Sequence, residues 1–229
     1  MKAMILAAGK GSRLAPLTDK QPKPMLPINK RPLIEWQVMA LARAGVSTVV
    51  INLHHLGDQI SDFLEDGTRY GLAISYSRED ELLETGGGIL KALPLLNDDC
   101  LDTPFWLLNG DIWTDFSFSQ LPTTLPKQDL AHLVLTPCPS SRREGDFELT
   151  NGRISQRGPT YVYCGIALIS PALFAGRQNG HFSIRDLYFD MIDQHLISGQ
   201  VHKGTWHDIG TLAEYQRLTN QFAASNTTN

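Results

Sequence analysis

A glycine-containing loop directly follows the first apolar run of the chain. Residues 9–13 read Gly-Lys-Gly-Ser-Arg and come after Leu6-Ala-Ala. Successive backbone N–H groups in such a loop can converge on phosphate oxygens, and glycine lets a ligand approach the backbone. The loop therefore predicts a phosphate-binding site, although the glycines alone are equally consistent with a tight turn that binds nothing.

Two better-known phosphate motifs do not account for this loop. The P-loop pattern Gly-x-x-x-x-Gly-Lys-Ser/Thr is absent, and the dinucleotide-binding pattern needs a third glycine where Leu14 stands. The segment that follows contains four prolines, Pro16, Pro22, Pro24 and Pro27. Because proline stiffens an extended chain and supplies no N–H donor, we expect a pre-shaped strap that presents Arg13 and Lys23 to the phosphate.

Two aspartates end predicted strands. Asp111 closes Leu-Leu-Asn-Gly-Asp, and Asp208 lies in Trp-His-Asp-Ile-Gly-Thr. Carboxylate oxygens are preferred ligands of hard cations such as Mg²⁺, which transfer reactions at phosphorus require. The alternative for either aspartate alone is a loop cap.

Short apolar runs alternate with segments of helical period, which is typical of a mainly parallel sheet covered by helices. The pattern predicts strands at 2–7, 47–53, 73–77, 105–109 and 130–136, and helices at 33–44, 57–64 and 88–95. We therefore expect an α/β fold with a Rossmann-like, mainly parallel mixed sheet. Open sheets of this kind bind ligands beyond the carboxyl ends of their strands, so Asn52, Asn109 and Asp111 should lie near one edge.

The middle of the chain changes character. Asn151-Gly152 between alternating residues at 147–154 predicts a hairpin and hence a small antiparallel flap. Beyond it we expect a strand at 161–169, a helix at 184–196, a strand at 201–208, a helix at 212–223 and a frayed tail at 225–229.

Composition excludes several functional classes. The 229 residues carry a formal net charge of -4, which gives no general attraction to nucleic acid or an anionic membrane.

The three cysteines lack the CxxC spacing of zinc or redox sites and are expected to be reduced core thiols; they are Cys100, Cys138 and Cys164. Because Gly9 interrupts the first apolar run, we expect no signal peptide or membrane span, and a cytoplasmic protein. No hexapeptide β-helix pattern and no obligatory protein partner are evident.

The run from Leu6 to Pro27 resembles the signature of the sugar-phosphate nucleotidyltransferases, and the resemblance extends through nearly the whole chain. It implies the nucleotide-diphospho-sugar transferase fold, with UTP, a sugar 1-phosphate and Mg²⁺ as ligands. By the same resemblance, Arg13 grips the departing pyrophosphate, Lys23 neutralises phosphate charge, and Asp111 and Asp208 bind the metal. It also implies one domain over 1–224, with a nucleotide-binding part at about 1–136 and a sugar-binding part at about 137–224.

The resemblance also assigns ligand contacts. The implied nucleotide-binding residues are Ala7, Ala8, Gly9, Gly11, Ser12, Glu79, Thr85, Gly86 and Asn109, with Glu79, Thr85 and Gly86 facing the base. Glu84-Thr-Gly-Gly-Gly88 departs from the usual Gly-Thr-Ala-Gly, and a plain helix N-terminus is the alternative there. His54 and His55 are weaker candidates for a functional role.

On the sugar side, the resemblance implies Gly145, Arg157 and Gly165. Ser-Gln-Arg-Gly-Pro at 155–159 stands where family members carry Glu-Glu-Lys-Pro, and an arginine there could meet an anionic group bidentately. Further arginine candidates are Arg142, Arg143 and Arg185. These departures look most like the compact uridylyltransferases of bacterial cell-wall sugar recycling. The expected acceptor is then N-acetylmuramic acid 1-phosphate, whose lactyl carboxylate would account for the arginine.

Two alternatives stay open. One is a nucleotidyltransferase for another sugar 1-phosphate, such as mannose or glucose 1-phosphate, with GTP, dTTP or CTP, because base choice depends on a few loop contacts. The other is a non-catalytic nucleotide-sugar sensor on the same fold. A sensor would be free to lose Arg13, Lys23, Asp111 and Asp208, and all four are present.

Overall fold

A computed structural model describes residues 1–97, 103–126 and 128–226. Their strands are β1 (Lys2–Leu6), β2 (Pro27–Ile28), β3 (Arg31–Pro32), β4 (Thr48–Leu53), β5 (Ala73–Arg78), β6 (Phe105–Asn109), β7 (Ile112–Thr114), β8 (Ala131–Pro137), β9 (Phe147–Thr150), β10 (Arg153–Ile169), β11 (Ile197–Val201) and β12 (Trp206–Asp208). The helices are α1 (Leu33–Arg43), α2 (Gly57–Leu64), α3 (Glu84–Leu96), α4 (Ile184–Ile192) and α5 (Leu212–Asn226).

The central sheet has the strand order β11-β8-β10-β6-β1-β4-β5, with β9 paired to β10. Strands β6, β1, β4 and β5 run parallel, whereas β10 is antiparallel to both β6 and β8. The expected α/β fold with a mainly parallel mixed sheet is confirmed. Two short ribbons, β2-β3 and β7-β12, lie outside this sheet.

Alternating residues of the sheet supply two cores. On β1, Ala3 and Ile5 pack in the cluster that includes α1 and α2, while Met4 faces the opposite cluster with α3 and α4. Burial on both faces explains why the parallel strands read as nearly continuous apolar runs. The sheet is therefore a rigid platform for the loops at its strand ends.

The predicted elements of the first half agree with the structure to within about two residues, with one exception. The helix predicted at 88–95 begins at Glu84, so the glycine cluster forms its first turns rather than a loop before it. The predicted hairpin is present, with Asn151 and Gly152 at φ angles of 51° and 75°. The positive φ at both turn residues is what a tight two-residue hairpin requires.

Three predictions in the second half are wrong in extent. The strand predicted at 201–208 is interrupted: β11 ends at Val201, residues 202–205 belong to no strand, and Trp206–Asp208 pairs with β7. The helix at 184–196 ends at Ile192, and His195 at a φ of 56° turns the chain into β11. The strand at 161–169 is only the end of the long strand β10.

Two further predictions concern segments that the structure describes only in part. Helix α5 continues to Asn226, beyond the predicted start of the tail, and residues 227–229 lie outside the described ranges. Cys164 is a buried free thiol, Cys138 is free but only half-buried, and Cys100 lies outside the described residues.

None of the helices in the described ranges combines the length and the apolar character that crossing a membrane would need.

Candidate active site

The main candidate site is a cavity of about 350 Å³ at the carboxyl ends of β1 and β6. The parallel register aligns Leu6 with both Asn52 and Asn109, so the segments that follow β1 and β6 leave the sheet side by side. Of the predicted site residues, the cavity brings together Ala7, Ala8, Gly9, Lys23, Thr85, Asn109 and Asp111.

The glycine loop is held open toward this cavity. Gly11 has a φ of 65°, and its carbonyl accepts a hydrogen bond of 2.9 Å from the Thr18 hydroxyl. A Cβ added at Gly9 would meet no protein atom within 4 Å. The space next to Gly9 is therefore available to a ligand, as a phosphate loop requires.

Beyond Gly11 the loop continues as the 3₁₀ turn Ser12–Leu14. Buried Leu14 anchors this turn, and the side chain of Arg13 reaches a second cavity beside Asp208. The loop thus contributes Ala8 and Gly9 to one cavity and Arg13 to the other.

Lys23 and Asp111 form an ion pair across the cavity. Lys23 Nζ lies 2.7 Å from Asp111 Oδ2, and Lys23 is only 8% exposed. The 3₁₀ turn Lys23–Met25, which begins after Pro22, directs the ammonium group inward. A nearly buried ammonium group at the cavity wall can neutralise further negative charge on a ligand.

Asp208 lies beside Asp111 because of the β7-β12 ribbon. Asp208 pairs with Ile112, and the Ile209 amide donates a 2.9 Å hydrogen bond to the Asp111 carbonyl. A Cβ on Gly210 would lie 3.5 Å from Asp208 Oδ1 and 3.7 Å from Arg13 Nη1, so Arg13 reaches the same place. The ribbon therefore joins the two aspartates and Arg13 from distant parts of the chain.

The electrostatics of Asp208 reflect this arrangement. Although its side chain still reaches solvent in the cavity, the surrounding protein removes part of its hydration, and this desolvation raises the pKa of Asp208. The nearby Asp111 carboxylate raises this pKa further, while Lys23, Arg13 and Arg142 oppose the shift. Two carboxylates that disfavour each other's charge are a suitable donor pair for a divalent cation. Within the described residues, no group of three or more His, Cys, Asp or Glu side chains is arranged to hold a metal ion.

Glu79, predicted to face the base, does not line the cavity. It is 5% exposed, and its Oε1 accepts a 2.7 Å hydrogen bond from Asn52 Nδ2 while its Oε2 accepts one of 3.0 Å from the Leu83 amide. Asn52 in turn accepts from the Ala7 amide at 2.9 Å. Glu79 therefore fixes Asn52, and Asn52 fixes the start of the glycine loop.

The glycine cluster of α3 serves mainly close packing. The Gly86 amide donates to the Phe182 carbonyl at 2.9 Å, and a Cβ there would lie 2.4 Å from the Phe182 ring. Thr85 lines the cavity and its hydroxyl accepts from the Ile184 amide at 2.9 Å. Thus Thr85 can face a ligand, whereas Gly86 faces the protein, in agreement with the helix N-terminus considered as the alternative.

Gln37 supports the site but was not among the residues predicted from sequence. Its Nε2 donates to the carbonyls of Asn109 and Ile112, at 2.8 Å and 3.0 Å, so it spans the turn that carries Asp111. The only signal was a single amide within the buried face of α1. The rings of His54 and His55 make hydrogen bonds to the backbone carbonyl oxygens of Glu79 and Thr18, at 2.9 Å and 3.1 Å.

The residues predicted for the sugar divide between two places. Gly145 and Arg157 line a cavity of about 570 Å³ between the hairpin and α4, which we call the flap cavity. Gly165, at a φ of 72°, instead packs against Asn109, where a Cβ would lie 2.8 Å from Nδ2. Its role is to let β10 approach the strand end that carries Asn109.

The architecture is that of the nucleotide-diphospho-sugar transferase fold. The structure superimposes with a TM-score of 0.80 on UDP-glucose pyrophosphorylase complexed with UDP-glucose, covering 98% of each chain at 20% identity. A protein of Bacillus anthracis assigned as a glucose-1-phosphate thymidylyltransferase gives a TM-score of 0.81 over 96% of this chain and 94% of the other, at 21% identity.

Sequence comparison gives the family. The family model described as nucleotidyl transferase matches residues 2–145. The chain is 41% identical, over 226 residues, to N-acetylmuramate alpha-1-phosphate uridylyltransferase of Neisseria meningitidis, covering 93% of this chain and 94% of that one. It is 32% identical to mannose-1-phosphate guanyltransferase beta-B of Xenopus laevis over 92% of this chain but only 61% of the relative. The chain belongs to the nucleotidyl transferase family.

Proposed function

We propose that the chain transfers the uridylyl group of UTP to N-acetylmuramic acid 1-phosphate, giving UDP-N-acetylmuramic acid and pyrophosphate. The observation that carries this proposal is the meeting of Lys23, Asp111, Asp208 and Arg13 at the glycine loop. The 41% identity to a uridylyltransferase of nearly equal length supports the choice of substrates. Such a reaction would supply a nucleotide-activated sugar for cell-wall recycling.

In this reaction an oxygen of the sugar phosphate attacks the α-phosphorus of UTP in line with the departing pyrophosphate. A phosphate nucleophile is already ionised near neutral pH, so no general base is needed. Lys23 would neutralise charge at the reacting phosphate, and the amides of the glycine loop would orient it. Arg13, directed toward the neighbouring cavity, would hold the pyrophosphate. Catalysis would then rest on positioning and charge neutralisation.

Asp111 and Asp208 are the proposed ligands of Mg²⁺. The fit rests on their side-by-side placement and on the raised pKa of Asp208, to which the Asp111 charge contributes. When bound, the cation would neutralise charge on phosphate oxygens. Lys23 at 2.7 Å from Asp111 would hold that carboxylate in place before the cation binds.

The remaining assignments are part of the same proposal. Residues of about 1–136 would bind the nucleotide and those of about 137–224 the sugar, with Ser12 and Gly11 shaping the phosphate loop. Because UTP is a cytoplasmic substrate, we propose a cytoplasmic location. Neither nucleic acid nor an obligatory protein partner is part of the proposed reaction.

The test is pyrophosphate release by the purified chain across UTP, GTP, dTTP and CTP, each paired with N-acetylmuramic acid, mannose and glucose 1-phosphates, with and without Mg²⁺. The proposal expects release to be fastest with UTP and N-acetylmuramic acid 1-phosphate and to stop when the cation is chelated. The similarity to a mannose-1-phosphate guanyltransferase makes GTP with mannose 1-phosphate the second candidate. Preference for that pair would replace the proposed substrates, and no release with any pair would favour a sensor.

A further inference from the structure

The flap cavity contains two arginines that share one aromatic ring. The guanidinium carbon of Arg157 lies 4.3 Å from the centre of the Phe189 ring, and that of Arg185 lies 5.6 Å from it. Arg185 and Phe189 are neighbours on one face of α4, whereas Arg157 comes from β10. The ring therefore holds two positive groups from different elements at one place.

The backbone of β10 is shaped to present Arg157. Gln156 pairs with Glu148 and Tyr161 with Phe147, so residues 157–160 bulge out of the β9-β10 register. The Thr160 amide donates a 3.0 Å hydrogen bond to Glu148 Oε1, which fixes the bulge. Bulges commonly redirect a side chain next to a functional site, and this one aims Arg157 at the cavity.

In the parts of the chain that the structure covers, neither Arg157 nor Arg185 has a carboxylate partner within ion-pair distance. The Glu148 carboxylate beside the same bulge accepts from the Thr160 amide instead. Of the two acidic residues that line the cavity, Asp146 is occupied by Arg142, at 3.6 Å, and by the Tyr163 amide, at 3.0 Å, while Glu144 is exposed. Two like charges held on one ring repel each other, and an anion between them would relieve that repulsion.

Arg142 connects this place to the reaction centre. It lines both the flap cavity and the cavity that contains Arg13 and Asp208. The two cavities therefore adjoin at Arg142. A ligand with two anionic groups could place one at Arg142, where the cavities meet, and the other against Arg157 and Arg185, which leaves Arg13 to the pyrophosphate.

We propose that Arg157 and Arg185 form a carboxylate subsite for the acceptor, with Arg142 contacting its phosphate. This inference rests on the proposed function and deepens it, because N-acetylmuramic acid 1-phosphate carries a lactyl carboxylate in addition to its phosphate. Guanidinium groups recognise carboxylates through paired, charge-assisted hydrogen bonds. The subsite would therefore discriminate between this sugar and the otherwise similar N-acetylglucosamine 1-phosphate, which lacks the lactyl group.

The experiment compares the two acceptors in steady-state pyrophosphate release with UTP. The measured quantity is the ratio of kcat/KM for N-acetylmuramic acid 1-phosphate to that for N-acetylglucosamine 1-phosphate. In Arg157→Ala and in Arg185→Ala the ratio should fall roughly 10- to 100-fold, as expected for losing hydrogen bonds to a charged partner. Arg143→Ala is the matched control, because Arg143 is an adjacent exposed arginine that lines neither cavity, and its ratio should equal that of the wild type.

A merely structural role for the two arginines predicts a different result. Both acceptors would then lose activity equally and the ratio would not change, which would overturn the proposal. An equal fall of the ratio in Arg143→Ala would also overturn it, since the effect would then reflect overall charge. Thermal denaturation of each variant identifies any that fail to fold. Because Arg157 lies on β10 and Arg185 on α4, a folding defect in one variant leaves the other available for the test.

A failure of the proposed function gives a different result: the wild-type chain would then release no pyrophosphate from UTP with either acceptor. In that case calorimetric binding of the two sugar 1-phosphates to the full chain decides about the subsite. Tighter binding of N-acetylmuramic acid 1-phosphate, reduced about tenfold or more by Arg157→Ala, would support it. Equal binding of the two sugars would overturn it.

Discussion

Replacing Asn52 by leucine tests whether a buried hydrogen-bond chain holds the glycine loop. Asn52 is 2% exposed, accepts from the Ala7 amide at 2.9 Å and donates to Glu79 Oε1 at 2.7 Å. Asn52→Leu keeps the approximate volume but removes both bonds. The substitution therefore leaves the buried Ala7 N–H group and the buried Glu79 Oε1 atom without the hydrogen bonds that Asn52 provides.

The expected cost follows from these two groups. An unsatisfied buried amide costs about 1–3 kcal/mol, and the loss of a hydrogen bond to a charged group costs about 1.5–3 kcal/mol. Asn52→Leu should thus lower the free energy of unfolding by roughly 2.5–6 kcal/mol. That is a large part of the 5–15 kcal/mol typical of a whole domain. Because the Ala7 amide is released, the KM for UTP should also rise.

The assay is urea denaturation followed by the fluorescence of the four tryptophans. The midpoint should shift while the slope stays constant, as for a change in stability alone. Combining Asn52→Leu with Glu79→Met removes the carboxylate that lost its partner, so the two changes should be non-additive by about 1–3 kcal/mol. A loss below about 1 kcal/mol for Asn52→Leu, or simple additivity in the pair, would refute this reasoning.

Three further predictions concern the residues around the reaction centre. Lys23→Ala and Asp111→Ala should each lower turnover by about 100-fold or more while far-UV circular dichroism stays unchanged, and near-normal activity in either purified variant would contradict their roles. Because the pKa of Asp208 is raised in the folded protein, the protonated form of Asp208 favours folding relative to the charged form. This contribution to stability is fully present below the ordinary aspartate pKa of about 3.9 and is lost as the pH rises through the pKa of the folded state. In metal-free buffer Asp208→Asn should therefore be more stable than wild type at pH 7, with a difference that shrinks toward pH 4, and a difference independent of pH in thermal unfolding would be inconsistent with this. Gly165→Ala should cost roughly 2–4 kcal/mol, because alanine is strained at a φ of 72° and its Cβ would press on Asn109, and an unchanged melting temperature would show that β10 can move away.

The sequence was informative wherever chemistry depends on neighbouring residues. The glycine loop, the Pro22-Lys-Pro24 strap and the Asn151-Gly152 turn are local, because backbone conformation at glycine, proline and Asn-Gly is set within a few residues. The alternation of apolar runs predicted the parallel sheet for the same reason. These local signals were sufficient to place the loop at the end of β1 and Asp111 at the end of β6.

The tertiary structure was needed for every feature in which segments distant in the sequence come together. Only the β7-β12 pairing brings Asp208 beside Asp111, and the sequence pattern at 201–208 predicted one continuous strand instead. Glu79 turned out to support Asn52 rather than to face the cavity, because its direction is set by a buried partner on another strand. Likewise, no sequence pattern predicts that Arg157 and Arg185 lie close together. They meet at Phe189 only because the bulge in β10 places Arg157 against α4. Side-chain direction and long-range pairing are properties of the packed fold, and a local sequence pattern does not encode them.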